Sequence, residues 1–419
     1  MTHGGGDRVG GARDERPAAF VRYWTAAALS SFGTAITTVA MPVLVVQLLG
    51  ATSLEVGVVN AAQFVPYAVL GVIAGVYTDR WRRRPILVWA SIGRALSLGA
   101  VPVLWACGIL QVWMLVVALL LFGSFSVFGF AAAQSLLPRL VPRDRLLRAN
   151  MRLDQTDAAA QTLGPTIGGG LVGLVGAPLA IVIDAVSYLA DAVLNATLRV
   201  EEPRAPRRPA RLRTEIGEGM RWTYRHPMLG PLTVSTHVWF VANGAAMTVL
   251  SLLALRELGF SALTYGLLLT VFGVSSLIGA SSAAVITGRI GAGRAIVGAR
   301  SLYPLAWILV AVAPPSELGA ALLFVAIGVQ GVAMGIENTP EQLLWQTLTP
   351  DRLLGRTNAT RRAGNRTLAA VGALSAGAAV GLVGDRGALA ATVVVFAVAA
   401  AIAWLSPLRR RGDEPPAFD

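Results

Sequence analysis

The sequence predicts an all-helical membrane protein with twelve spans arranged as two similar halves, and three observations lead to this fold class. The chain has 419 residues, of which 55% are hydrophobic and only 14% are charged, whereas soluble globular proteins usually carry about 25% charged residues. Apolar runs of roughly 20 residues, the length that crosses a bilayer, recur along most of the chain. A polar segment separates these runs into two sets of six, and a sequence repeat relates the two sets.

Each apolar run is a predicted membrane span. In the first half the spans fall at about 23–49, 54–78, 86–107, 112–137, 150–175 and 178–198. In the second half they fall at about 228–255, 262–287, 295–313, 318–345, 363–383 and 387–408. The sequence thus predicts one six-helix bundle over 20–199, an arginine-rich linker over 200–226 and a second six-helix bundle over 227–408. Segments 1–19 and 409–419 are predicted cytoplasmic tails, the first of them disordered.

The distribution of basic residues predicts how the spans are oriented. All 35 basic residues are arginines, and nearly all of them lie in the tails, the linker or the connections on the same side of the membrane. Cytoplasmic loops of membrane proteins carry an excess of Lys and Arg. Both termini are therefore predicted to be cytoplasmic, in a multi-pass protein of a bacterial inner membrane. The net charge of +12 follows from this distribution, so nucleic acid is not a predicted partner.

An internal repeat relates the two halves. Residues 134–150 read QSLLPRLVPRDRLLRAN and residues 342–358 read QLLWQTLTPDRLLGRTN, with seven identical positions and no gap. Each copy follows the fourth span of its half, so the two halves are pseudo-symmetric and have the same orientation in the membrane. Parallel repeats with a substrate site between them are typical of secondary transporters. The repeat therefore favours alternating access over a channel.

The connection between the second and third spans carries the most specific motif, GVYTDRWRRRP at residues 75–85. A glycine lets a helix end approach its neighbour closely, and the aspartate can pair with an arginine or cap a helix. A charged cluster of this kind can form in one conformational state and break in another. The predicted latch consists of Gly75, Asp79, Arg80, Arg83 and Arg84. The alternative interpretation is a basic loop with a helix-capping aspartate.

This motif resembles the signature of the major facilitator superfamily between its second and third helices. The equivalent segment of the second half, TGRIGAGR at 287–294, keeps the glycines and arginines but lacks the acidic residue. The segments LPRLVPRDRLLRAN and LTPDRLLGRTNA resemble the branch of bacterial exporters that includes the enterobactin exporter and macrolide efflux pumps. The resemblance covers nearly all of 20–408. It implies a major facilitator fold and proton-driven export of small molecules.

The fifth span contains the sequence GPTIGG, formed by Gly164, Pro165, Gly168 and Gly169. Proline bends a helix, and glycines permit close packing at the bend. In the superfamily this pattern resembles the core of the antiporter motif of drug exporters, although the glycines that should precede it are missing. The alternative is ordinary packing of small residues between helices.

Ionisable side chains inside predicted spans are candidates for proton coupling, because they are costly to bury in a membrane. The sixth span places Asp184 and Asp191 on one helix face, and Arg94 in the third span lies at a depth similar to that of Asp191. In one interpretation either aspartate loads and releases a proton under the influence of Arg94. In the other, these residues form static pairs that stabilise the N-terminal bundle.

The tenth span offers a second set of acidic residues, Glu337 and Glu341, one helical turn apart. Glu337 is a further candidate for binding a proton or a cationic substrate. The alternative is a carboxylate at the cytoplasmic end of the span that pairs with Arg361 or Arg362.

Polar and aromatic side chains within other spans are candidates for lining a substrate cavity. The predicted set is Phe125, Gln161, His237, Trp239, Asn243 and Glu341. The alternative for the aromatic residues is simple contact with lipid or with the core.

Taken with the resemblance, these features predict proton-coupled export of an amphipathic small molecule such as an antibiotic, a secondary metabolite or a siderophore. An importer of a polar nutrient and a non-transporting membrane sensor or scaffold are the alternatives. The sequence shows no nucleophile–base arrangement, no Cys/His cluster and no phosphate-binding loop. No enzymatic activity, metal or cofactor is therefore predicted. The expected partners are the substrate, protons and membrane lipid, and the protein is expected to be a monomer.

Overall fold

The computed structural model describes residues 8–198, 200 and 212–409, and of these it describes 8–17, 72, 75–80, 212–213 and 215–216 by their backbone alone. Almost all of this part of the chain is helical. Its α-helices are α1 Arg8–Val43, α2 Ser53–Ala62, α3 Val65–Arg80, α4 Arg83–Ala106, α5 Val112–Leu140, α6 Leu146–Val175, α7 Ala177–Ala196, α8 Leu212–Arg225, α9 Leu229–Leu252, α10 Ala262–Ile290, α11 Ala292–Val312, α12 Glu317–Leu348 and α13 Asp351–Leu405.

The two halves begin with the same local structure, as the sequence repeat leads one to expect. A π-helical turn, Leu44–Leu48, ends the first helix of the first half, and the turn Leu253–Glu257 ends the first helix of the second half. The next helix then starts with a hydroxyl cap in both halves. Thr52 and Glu55 form a reciprocal capping box at α2, and Ser261 accepts a hydrogen bond from the backbone N–H of Thr264 at α10.

Ten helices in the described part of the chain are long and apolar enough to cross a membrane. α2 and α3 together supply one of them, although the second predicted span divides at residues 63–64. α6, the fifth predicted span, is not among the ten. α13 combines the last two predicted spans and is interrupted at Gly384, whose φ of 74° separates two helical segments. Only glycine adopts this backbone angle readily. The count of twelve spans stays a prediction.

The segments outside the predicted bundles also contain helix. α1 begins at Arg8, inside the segment predicted as a disordered tail, and α8 lies inside the predicted linker. α8 is attached to the second half by an ion pair of 2.5 Å between Glu218 and Arg356. Immediately after α8, His226 caps α9, because its Nδ1 accepts hydrogen bonds from the backbone N–H groups of Met228 and Leu229. The polar composition of the linker did not indicate this helix.

Helix packing within the two halves follows one scheme. In the first half α4 packs against α5 and α7, and α1 packs against α6 and α7. In the second half α11 packs correspondingly against α12 and α13, and α9 packs against α13. The buried residues at one end of the bundle form one cluster in each half, which includes Phe20, Leu140 and Leu198 in the first and Leu229, Leu348 and Leu408 in the second. We call this end, where the chain passes from one half to the other, the linker end.

The halves contact each other mainly through α6, which packs against α10, and through α2 and α3, which pack against α13. Several hydrogen bonds between described residues join the halves at the end opposite the linker end. The Thr166 and Thr270 hydroxyls are 2.7 Å apart, the Asn60 amide donates to Thr248 over 3.2 Å, and the Gln47 amide donates to the Phe260 carbonyl over 3.0 Å. Arg256 donates to the Ala51 carbonyl at the same end.

Candidate functional site

A buried arginine organises the polar centre of the second half. Arg300, on α11, is 1% exposed, and its Nε atom lies 3.0 Å from a carboxylate oxygen of Glu337 on α12. One of its terminal nitrogens lies 3.1 Å from a carboxylate oxygen of Glu341, one turn further along α12. Arg300 also donates to the hydroxyls of Ser235 and Thr236 on α9, over 3.0 and 3.2 Å. The planar guanidinium thus holds two carboxylates and two hydroxyls in fixed positions.

The two carboxylates of this centre differ in their surroundings. Glu337 is 4% exposed, and its second oxygen accepts a hydrogen bond of 3.0 Å from the Tyr303 hydroxyl. Glu341 is more accessible, and its second oxygen accepts a hydrogen bond of 2.8 Å from Arg361 on α13. The Arg361 guanidinium also lies over the ring of Trp345, 3.9 Å from its centroid. The four charges balance, as burial of charged groups requires.

These residues border a cavity of about 420 Å³. It lies among the C-terminal part of α12, the N-terminal part of α13 and α9, and so it is nearest the linker end. The charged lining residues are Arg300, Glu337, Glu341 and Arg361, and the apolar and aromatic ones are Trp239, Phe240, Met334, Trp345 and Leu354. Neutral polar side chains complete the wall: Thr236, Asn338, Gln342, Gln346, Asn358 and Asn365. Small-molecule sites combine apolar and aromatic walls with placed polar groups, and this cavity contains both, although two thirds of its lining side chains are polar or charged.

The structure brings only part of the predicted cavity set to this place. Trp239 and Glu341 line the cavity. His237 instead lies between α8 and α13, with its ring nitrogens 2.8 Å from the Tyr224 hydroxyl and 2.8 Å from the Asn365 amide oxygen. Asn243 is 3.5 Å from Gln330 inside the second half.

The two predicted cavity residues of the first half are also elsewhere. Phe125 packs beside Gly93 on α4, where a side chain in place of the glycine hydrogen would collide with the phenyl ring. Gln161 is exposed and donates to Asp157, one turn earlier on α6, over 2.6 Å.

The predicted charged residues of the first half form a second buried centre. Asp191 on α7 accepts hydrogen bonds from Ser91 and, over 3.0 Å, from Asn195, and it lies 3.6 Å from Arg94 on α4. Arg94 also lies over the ring of Tyr188, 4.4 Å from its centroid. The sequence places Arg94 and Asp191 at similar depth, and the structure places them in contact.

Asp184 is separate from this ion pair. It is fully buried, and it accepts hydrogen bonds from Thr37 on α1 over 2.6 Å and from Ser187 over 3.3 Å. Both aspartates therefore lie where α1, α4 and α7 meet, and neither lines the cavity of the second half.

The predicted latch is described only in part. The backbone of α3 continues to Arg80, but Gly75, Asp79 and Arg80 are described by their backbone alone. Arg83 is buried at the start of α4. Arg84 donates to the carbonyls of Asn195, over 3.3 Å, and of Ala196. It thus places a positive charge at the C-terminus of α7, where the helix dipole favours a cation.

The GPTIGG motif of α6 lies where α6 meets α1 and α10. A side chain at Gly168 would come within 2.9 Å of the backbone of Ile36 on α1. One at Gly169 would collide with the Ala262 carbonyl on α10, in the other half, and one at Gly164 would collide with Ala35. The carbonyl of Pro165 in turn approaches Gly266 so closely that no side chain fits there. The motif therefore permits close contact between the two halves.

Sequence reasoning missed Arg300, the central residue of the second half. It is the sixth residue of the predicted ninth span, close to the arginines that flank the cytoplasmic ends of the spans. The same criterion that singled out Arg94, an arginine surrounded by apolar residues within a predicted span, would have found it. The alternative interpretation of Glu337 is a carboxylate paired with an arginine such as Arg361 or Arg362, and in the structure the arginine that pairs with it is Arg300. Arg361 pairs with Glu341, and Arg362 lies over the ring of Phe130 in the other half.

A bundle of membrane-spanning helices in two equivalent halves, with a polar and aromatic cavity among them, defines a secondary transporter of the major facilitator type. The sequence matches the transmembrane secretion effector family of this superfamily over residues 15–415, so the chain belongs to that family. It is a multi-pass transporter of the bacterial inner membrane and not an enzyme.

Similar proteins agree with this assignment. The chain is 25% identical over 342 residues to YfiS of Bacillus subtilis, an uncharacterised transporter of the superfamily, with 78% of each chain covered. It is 28% identical over 348 residues to the multidrug efflux pump Tap of Mycolicibacterium fortuitum, with 79% of this chain and 81% of Tap covered.

Solved structures share the fold at low sequence identity. A bacterial homologue of the iron transporter ferroportin, in its inward-facing state, superposes with a TM-score of 0.72 at 17% identity, over 94% of this chain and 99% of that one. The nucleoside transporter NupG superposes with a TM-score of 0.70 at 13% identity, over 92% and 97% of the two chains.

Proposed function

We propose that this transporter exports an amphipathic small molecule in exchange for protons, by alternating access between two six-helix bundles. In this proposal twelve helices span the membrane and the linker end faces the cytoplasm with both termini. The α13 segments on either side of Gly384 then form the last two spans, and α6 forms the fifth.

The observation that carries the proposal is the cavity with the Arg300 centre in its wall. Its volume of about 420 Å³ and its aromatic side chains, Trp239 and Trp345, suit a ring-containing molecule with polar groups. The cavity is nearest the linker end, which faces the cytoplasm in this proposal, so a substrate for export would load from this side.

Glu337 is the coupling residue in this proposal. It is a buried carboxylate in the cavity wall, and its ion-pair partner Arg300 has a second carboxylate, Glu341, within 3.1 Å. When Glu337 takes up a proton, its carboxyl group becomes neutral and its ion pair with Arg300 is lost. Glu341 is then the carboxylate with which the Arg300 guanidinium still forms an ion pair. Protonation of Glu337 therefore changes the electrostatic environment of Glu341 in the cavity wall. Asp184 and Asp191 lie away from this cavity, and their hydrogen bonds support the static role considered for them.

Two features support export over import. The GPTIGG motif lies at the contact between the halves, where a proton-driven exporter needs close packing that can open and close. The relative Tap is a multidrug efflux pump by its name. NupG, named as a nucleoside transporter, shares the fold alone.

Proton movement in sealed, inverted vesicles tests this function. The vesicles are energised so that their interior is acidic, and compounds from several classes are added: macrolides, siderophores, aromatic cations and sugars. We expect wild-type vesicles to release protons when a substrate is added and to accumulate that substrate. Glu337→Gln should abolish substrate-triggered release, whereas Asp191→Asn should retain it.

The matched control is Glu317→Gln, which removes an exposed carboxylate at the start of the same helix and should leave exchange unchanged. Each variant is compared at equal amounts of protein in the membrane. Exchange that persists in Glu337→Gln but disappears in Asp191→Asn would transfer the coupling role to the first half. Labelled compounds that move with protons in the same direction would establish import, and no movement of any compound would favour a sensor or scaffold.

A further inference from the structure

Glu341 and Trp345 together hold a positive charge, the guanidinium of Arg361, at the edge of the cavity. One Glu341 oxygen lies 2.8 Å from the Arg361 guanidinium, and the same guanidinium lies 3.9 Å above the centroid of the Trp345 ring. A carboxylate beside an aromatic face is the combination that recognises organic cations. The cation that occupies this site in the structure belongs to the protein itself.

The two arginines of the cluster are held very differently. Arg300 is 1% exposed and contacts side chains of α9 and α12 on all sides, so it is a fixed part of the wall. The Arg361 side chain is 19% exposed and lines the cavity, and its partners are one oxygen of Glu341 and the ring of Trp345. Each oxygen of Glu341 thus pairs with a different arginine, and Arg361 is the more exposed of the two.

We infer that Arg361 is an internal surrogate ligand, and that an organic monocation with an aromatic ring displaces it from Glu341 and Trp345. This inference rests on the proposed function, because it assigns a substrate class to the same cavity. It follows that Arg361 weakens the apparent affinity for every such cation, and that a bound cation frees Arg361 on α13. α13 packs against α2 and α3 of the other half, so the released arginine lies on a helix that joins the two halves.

Charge balance makes the exchange one for one. Arg300, Arg361, Glu337 and Glu341 together carry no net charge in their ionised forms, and an additional buried positive charge without a carboxylate partner is costly. A cation that binds at Glu341 therefore has to displace Arg361 from the cluster. A proton on Glu337 adds one positive charge to the same cluster, and so it opposes binding of the organic cation. The proton and the substrate therefore compete, although the proton binds Glu337 and the organic cation binds at Glu341.

The test is equilibrium binding to the purified full-length protein in detergent, measured by fluorescence, with 10-methylacridinium and its neutral parent acridine at pH 8. We expect Arg361→Gln to bind 10-methylacridinium about tenfold more tightly than wild type, since one ion pair and one cation–π contact no longer compete with it. Acridine binding should stay within about twofold, because the neutral ring does not need the carboxylate. Glu341→Gln should weaken binding of the cation about tenfold and leave acridine unaffected.

Two further variants keep the test decisive. Arg361→Lys retains the internal charge and should bind the cation as weakly as wild type, which separates loss of competition from loss of structure. Arg352→Gln removes an exposed arginine near the start of α13 and should change nothing.

The inference is overturned if Arg361→Gln binds 10-methylacridinium no more tightly than wild type, or if acridine gains as much as the cation does. These measurements need no proton gradient. The proposed function can therefore fail in vesicles while this result stands, and the reverse is equally possible.

Discussion

Removal of Arg300 is the perturbation whose effect the structure defines best. In wild type this side chain makes contacts of 3.0–3.2 Å to Glu337, Ser235, Thr236 and Glu341. Arg300→Met keeps much of the side-chain volume but leaves Glu337, which is 4% exposed, with the Tyr303 hydroxyl as its remaining partner among the contacts described above. Breaking a buried ion pair by removing one partner typically costs about 3–5 kcal/mol.

The companion variant removes both partners. With Arg300→Met and Glu337→Met together, the cluster is neutral again, because Arg361 still pairs with Glu341. Replacement of a whole buried pair by apolar residues is often close to neutral for stability. We therefore expect the double variant to be clearly more stable than Arg300→Met alone, although it loses one more native side chain.

Thermal unfolding of the purified proteins in one detergent, followed by tryptophan fluorescence, measures this difference. The expected order of melting temperatures is wild type, then the double variant, then Arg300→Met as the lowest. Leu305→Met, at an exposed position of α11, serves as the control for changes on the same helix. A double variant that melts at or below the temperature of Arg300→Met would refute the reasoning, because the unpaired Glu337 carboxylate would then not be the cause of the loss.

Three other changes follow from described contacts. Gly169→Ala should reduce transport strongly in vesicles, because its new methyl group collides with the Ala262 carbonyl of the other half, whereas Gly170→Ala has open space at that position and should transport normally; equal activity of the two would contradict the assigned role of the motif. Burial lowers the pKa of His226, so the neutral ring that caps α9 contributes stability above the usual histidine pKa of about 6.5, and this contribution is lost as the pH falls below it. Wild type should accordingly lose more thermal stability between pH 7.5 and pH 5.5 than His226→Asn does, and equal losses would show that the cap does not titrate. Glu218→Gln breaks the exposed ion pair with Arg356 and should change stability by less than about 1 kcal/mol, so a larger drop in the thermal unfolding assay would mean that α8 is held mainly by this pair.

Hydrophobic periods and the repeat predicted much of the architecture. Runs of apolar residues locate helices because the bilayer demands a minimum length, and the boundary predicted between the last two spans falls at Gly384, where the backbone departs from helical angles. The repeat at 134–150 and 342–358 predicted two halves of one design, and the two π-helical turns and equivalent helix pairs agree with it. α8 was not predicted, because a short amphipathic helix in a charged segment lacks the long apolar run that marks a span.

Side-chain partners were harder to predict than helices. The sequence gives the depth of a residue in the membrane to within a turn, and so it placed Arg94 near Asp191. It does not give the rotation of one helix against another, which decides that Glu337 faces Arg300 on α11 while Glu341 faces both α11 and α13. His237 and Asn243 were predicted for the cavity on the same grounds, and the rotation of α9 directs them to α13 and to Gln330 instead.

The central claim, that a proton on Glu337 and a substrate in the cavity exclude each other, is tested most directly by proton release on binding. A substrate identified in vesicles is added to purified protein in a weakly buffered solution, and an indicator dye follows the pH change. The measurement is repeated over a range of starting pH to find where proton release is largest. The account predicts that wild type and Asp191→Asn release protons on binding and that Glu337→Gln binds the substrate without releasing any. Binding to wild type without proton release, or equal release by Glu337→Gln, would contradict it.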